Sequence, residues 1–167
     1  MDHRTLESIF DGLFAEALDT VLRGGFEEPL YLPADRDGHA VIRYRADYSA
    51  SALHEVAHWC VAGPERRRQL DWGYWYESDG RSPSRQAEFE HVEARPQALE
   101  SIFAEAAGLP FVLSADNLQA GCGPSEAFAE AVDAWRGSYR RQGLPDRAAR
   151  FEAALRGARE TERPGPR

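Results

Sequence analysis

Apolar positions in the first part of the chain recur every three or four residues: Leu6, Ile9, Phe10, Leu13, Phe14, Ala17, Leu18, Val21 and Leu22. That spacing predicts a first helix, with Gly24-Gly25 as its stop. Residues 28–33, bounded by Pro29 and Pro33, read as a short extended segment that its prolines confine to an edge or a loop. Asp35 to Gly38 makes a turn into a strand over Ala40 to Arg45. Leu53, Val56, Ala57, Val61 and Ala62 return to helical spacing, with N-caps offered by Tyr48 to Ser51 and an end at Gly63-Pro64. Asp71 to Tyr76 is an aromatic run that reads as a strand entering a turn at Ser78 to Arg81. Phe89, Val92, Leu99, Ile102 and Phe103 form another helical face, interrupted at Pro96. Leu109 to Ser114 reads as a short strand, followed by a loop to Gly123 that contains Asp116 and Asn117. Pro124 opens a helix through Phe128, Ala131, Val132, Trp135 and Tyr139 that Gly143 ends, and Leu144 to Asp146 caps a last one through Phe151, Ala154 and Leu155.

The sum is an α+β fold, mostly helical with a small β-sheet. A length of 167 residues with 43% hydrophobic content suits one domain, expected over residues 1–160, with 161–167 a frayed tail. No apolar run approaches the length that spans a bilayer, and the first residues lead into the amphipathic pattern without a signal-peptide core, so a cytoplasmic protein with reduced Cys60 and Cys122 is expected.

Charge narrows the function. A formal charge of −8 argues against direct nucleic-acid binding, which needs clustered cations. The one basic cluster, Arg66-Arg67-Arg68, reads as a solvated helix end. Every basic residue is arginine, so Schiff-base and lysine-nucleophile chemistry is excluded.

The chemistry concentrates at His54-Glu55-Val56-Ala57-His58. Residues four apart on a helix share a face, so both imidazoles can aim at one ion while Glu55 lies near any water bound to it. Two histidines leave coordination positions for a distant ligand and for solvent or substrate, which makes such a site potentially catalytic. Glu90 and Glu93, three apart, could each bring the third donor from a second helix. Glu93 is favoured because Gln97 lies one turn further on, available to orient it. His91 projects from another face. Trp72, Tyr74, Trp75 and Tyr76 read as core or pocket wall.

With these residues in view, the chain resembles the bacterial elongation factor P hydroxylase family. The resemblance is carried by Pro29 to Asp35, Ser51 to Cys60 with Ala62-Gly63, Gly73 to Tyr76 with Asp79 to Arg81, Phe89 to Glu93 with Pro96 to Leu99, and Ala106 to Gly108. It spans most of the chain, and no segment beyond Gly121 contributes. It implies a non-haem metal hydroxylase, with Fe(II) as the expected metal and O2 as co-substrate, acting on the β-lysyl-lysine side chain of elongation factor P. The implied ligands fall on His54, His58 and Glu93, with Glu55 a catalytic orienter or proton relay. A doubly cationic guest suits an acidic protein, and Asp71, Asp79, Glu88, Glu90 or Asp116 could receive its amines. The His-x-Asp pair of 2-oxoglutarate enzymes is absent.

The expectation is therefore a metal site between the His54/His58 helix and the Glu93 helix. Its alternatives are a zinc-dependent hydrolase, in which Glu55 activates a metal-bound water, and a non-catalytic module stabilised by its metal.

Overall fold

The computed structural model describes residues 1–36, 38–71, 82–115 and 123–162. In chain order these form α1 (His3–Leu18), β1 (Thr20–Phe26), β2 (Leu30–Leu32), β3 (Ala40–Arg45), α2 (Ser49–Val61), a 3-10 turn over Arg66–Arg68, α3 (Pro83–Ala107), α4 (Glu126–Gln142) and α5 (Asp146–Glu162). The strands make one small sheet in the order β1-β3-β2, with β1 parallel and β2 antiparallel to β3. No described helix is long and apolar enough to cross a membrane.

α3 is the axis of the molecule, packed by α2, α4 and α5, while α2 also rests on β3. An aromatic cluster locks these layers: Phe10 meets Phe14 at 4.9 Å and Trp59 at 5.2 Å between ring centroids, and Phe103 meets Phe151 edge-on at 5.1 Å. All five rings are buried, so each contributes on the order of 2–3 kcal/mol through burial.

α1 stops at Leu18, six residues before the glycine pair expected to end it. Asp19 caps it in the left-handed region at φ 50°, and Thr20, Val21 and Leu22 continue as β1 because β3 lies alongside to complete their hydrogen bonds. The glycines serve that strand. A Cβ on Gly24 would fall 2.5 Å from Tyr44 Cζ and 2.7 Å from the Ala46 carbonyl oxygen. Gly25, at φ 94°, occupies the irregularity where the β1–β3 register shifts.

Pro96 does not interrupt its helix: α3 is continuous from Pro83 to Ala107. Proline lacks the N–H that would bond the Val92 carbonyl. The packed environment offsets that loss, since Ala94, Gln97, Ala98 and Leu99 on either side are all buried. Leu109 to Ser114 is not a strand either. Its backbone pairs with a side chain, Ser114 N–H donating to Gln97 Oε1 at 3.1 Å and Gln97 Nε2 to the Ser114 carbonyl at 2.8 Å. Of the expected aromatic strand, Asp71 pairs with Tyr31 as an isolated bridge, and residues 72–81 lie outside the described residues. α4 begins after Pro124, with Ser125 as N-cap and its hydroxyl accepting from Phe128 N–H at 3.0 Å. α5 runs through Glu162, two residues into the segment expected as tail.

Candidate metal centre

α2 carries two functions on opposite faces. Ala52, Leu53, Val56, Ala57, Trp59 and Cys60 are buried in the core, while His54 and His58, one turn apart, face α3 with ring centroids 4.6 Å apart. Their Nε2 atoms lie 3.1 Å from each other. Glu93 reaches in from α3, with Oε1 3.2 Å from His58 Nε2 and Oε2 3.7 Å from His54 Nε2. These donors all fall within 4.8 Å of one another and could hold one metal ion. Ligand atoms about 2.1 Å from a shared ion sit roughly 3.0–3.4 Å apart in octahedral or tetrahedral geometry, which is the spacing observed between the closest donors.

The side chains behind them come from one stripe of α3. Glu93, Gln97 and Glu100 stand four and three residues apart and are all buried, which for two carboxylates and an amide demands partners. Gln97 Nε2 lies 3.4 Å from Glu93 Oε2 while holding the Ser114 backbone, so the orienting role read for Gln97 has a geometric basis. Glu100 went unnoticed in the sequence. Its Oε2 lies 2.8 Å from His54 Nδ1, so that nitrogen keeps its proton and Nε2, on the side of Glu93 and His58, is the one a metal would take. The signal was present as a carboxylate seven residues beyond Glu93, two helical turns along the same stripe.

Glu90 is engaged elsewhere. Its carboxylate accepts from Ser125 N–H at 3.3 Å and from the Ser125 hydroxyl at 2.5 Å, pinning the start of α4 to α3. His91 is exposed, on another face.

Electrostatics bind the cluster together. Burial alone would lower the pKa of His54, but the Glu100 hydrogen bond and charge, with Glu93 and Glu55 behind it, raise it well above the ordinary imidazole value. Burial would raise the pKa of Glu93. The charge and hydrogen bond of His58, then His54 and Gln97, bring it down to about 2. For Glu55 burial dominates and holds its pKa above the usual carboxylate range, opposed by the two histidines. Of Glu55 and Glu93, Glu55 is the readier to carry a proton.

Glu55 and His58 also border a cavity of about 240 Å³ lined by Tyr31, Trp59, Arg67 and Pro96 among others. Among the acidic residues considered as receivers of a cationic guest, Asp71 reaches this cavity but is bonded to Arg66 Nε at 2.5 Å, and Glu88 is exposed. Asp79, Asp116, Asn117 and the aromatics Trp72, Tyr74, Trp75 and Tyr76 lie outside the described residues.

Comparison with known proteins bears on what such a centre serves. The family model described as Elongation factor P hydroxylase matches residues 9–165. A Haemophilus influenzae protein named Elongation factor P lysine hydroxylase is 47% identical over 158 residues, which is 93% of this chain and 89% of that protein.

Proposed function

The chain belongs to the elongation factor P hydroxylase family, and from that premise we propose that it hydroxylates the β-lysylated lysine of elongation factor P at an Fe(II) ion held by His54, His58 and Glu93, with O2 as the oxygen source. The observation that carries this reading is the convergence of two imidazole nitrogens and one buried carboxylate on a single point, with coordination positions left over. Iron in such a ligand set supplies the activation of dioxygen.

The chain's own residues do the rest. Glu100 fixes the His54 tautomer, and Gln97 holds the Glu93 carboxylate while tying the 109–115 segment to α3. Glu55, whose pKa burial raises, delivers or accepts a proton at its carboxyl oxygen beside His58. The substrate is a modified side chain of a folded protein, so this activity places the chain in post-translational modification of a translation factor. It works in the cytoplasm, where its substrate is made.

The deciding experiment weighs β-lysylated elongation factor P after incubation in air with the iron-loaded protein. A gain of one oxygen atom, lost with His54→Ala or His58→Ala while both variants stay folded, supports the proposal. Full activity in either variant sinks the ligand assignment, and zinc-dependent cleavage of peptides without any mass gain would return the hydrolase reading.

A further inference from the structure

One wall of the cavity beside the metal centre carries a buried donor without an acceptor. Arg67 Nε is shielded from solvent and makes no hydrogen bond among the described residues, while Trp59 Nε1 on the same wall lies against the Tyr31 hydroxyl. A buried N–H left unpaired costs on the order of its full desolvation penalty, so Arg67 Nε marks a place for an acceptor.

Arg66, Arg67 and Arg95 outnumber Glu55 and Asp71 along the cavity wall. Among the described residues no carboxylate is paired with Arg67: Asp71 bonds Arg66, and Glu65 bonds Arg68. Arg95 lines the same cavity, its Nε bonded to the Tyr139 hydroxyl at 3.1 Å. Arg147 stands on the Trp59 ring at 4.7 Å and Arg67 lies 6.0 Å from the same ring. Arg147 gives a terminal nitrogen to the carbonyls of Trp59, Cys60 and Ala62 at the end of α2, whereas among the described residues Arg67 Nε has no acceptor. The backbone holding Arg67 is nonetheless fixed, because Tyr31 donates its hydroxyl proton to the Arg67 carbonyl at 3.0 Å.

Ile42, Val61, Val92 and Pro96 give the wall an apolar stretch. At about 240 Å³ the space falls just below the ~300–1,000 Å³ of common ligand pockets, which suits a small molecule and not a peptide. An arginine fork matches a carboxylate in two-point geometry.

We propose that this cavity binds a small organic carboxylate, with the carboxylate on Arg67, its carbon skeleton on the apolar wall, and its far end beside Glu55 and His58. The inference deepens the proposed function, since it adds a second small ligand at the edge of the same centre. It stands on the cavity itself, however, and not on the metal.

The test is calorimetric titration of the full chain, metal-free and iron-loaded under nitrogen, with succinate, 2-oxoglutarate, inorganic phosphate and 1,5-diaminopentane. Saturable binding of one of the two dicarboxylates is expected in both forms, weakened about tenfold or more by Arg67→Gln and unchanged by Arg68→Gln. Arg67→Lys, which keeps the charge but not the fork, should fall between them, and it decides the matter if Arg67→Gln melts below the working temperature. No saturable heat from either dicarboxylate, equal affinity in the Arg67 variants, phosphate binding as tightly, or the diamine binding instead would each overturn the proposal. Equilibrium dialysis against Fe(II), run alongside, reports on the metal reading separately, so the failure of one is not mistaken for the failure of the other.

Discussion

Glu100 Oε2 lies 2.8 Å from His54 Nδ1, the ring nitrogen turned away from Glu93 and His58. A carboxylate behind a ligating imidazole fixes its tautomer and raises its basicity, and losing such a partner costs roughly 10–100-fold in metal affinity. Glu100→Gln should therefore weaken Fe(II) or Zn(II) binding by about that factor while leaving the far-ultraviolet circular dichroism spectrum unchanged. Undiminished affinity in equilibrium dialysis would show that the contact is structural only.

Protons and metal compete for the same nitrogen. The raised pKa of His54 stabilises the metal-free fold below the unfolded value near 6.5, and this contribution is lost as pH rises through the folded pKa. The lowered pKa of Glu93 stabilises it above the unfolded value near 4.5, and that contribution is lost as pH falls toward about 2. His54 and Glu93 together thus support the metal-free protein best between about 4.5 and 6.5. Metal binding must displace the His54 proton, so the rise in Tm on adding saturating Zn(II) should grow from pH 6 to pH 8. A rise that is flat or shrinks over that range would argue against His54 as a ligand.

Gln97 one turn beyond Glu93 is what separates it from Glu90, and the helical pairing of His54 with His58 rests on the periodicity of one face, which sequence displays directly. What it hid were relations set by tertiary contact. Val21 and Leu22 fit a helical stripe as well as a strand, and only the parallel partner β3 decides between them. Pro96 signals a break, yet a helix packed by α2, α4 and α5 carries the missing bond. Glu100 fits the α3 stripe, but nothing in the chain says that His54, 46 residues away, lies against it. Arg67 looked like part of a solvated helix end because the cavity that Tyr31 and Trp59 form beside it is built from separate elements.

Cys60 lies in the core, where burial pushes its thiol up to about 12 against a slight pull from Arg147 and Arg67. Relative to an ordinary thiol near 9, the thiolate fraction at pH 8 is roughly a thousandfold lower. In a Cys122→Ser background, Cys60 of the native protein should therefore react with a disulfide reagent at no more than about a thousandth of the rate seen in denaturant. A native rate within tenfold of the denatured one would mean that the α2 core opens far more readily than its packing implies.

Glu90 and Glu93 offer the sharpest contrast, because two carboxylates one turn apart on α3 have been put to different uses. Glu93 is buried against both imidazoles, and Glu93→Gln keeps the shape but replaces a charged donor with a neutral amide, so metal binding should fall sharply while the fold persists without metal. Glu90 instead holds Ser125, whose hydroxyl caps α4 at Phe128 N–H. Glu90→Ala should spare metal affinity and lower stability by about 1–2 kcal/mol, the scale of a weakened helix cap and a lost charged hydrogen bond. Denaturant melts paired with dialysis on the two variants separate these effects. The opposite pattern, with Glu90→Ala losing metal and Glu93→Gln keeping it, would move the third ligand to the other carboxylate and leave Gln97 with nothing to orient.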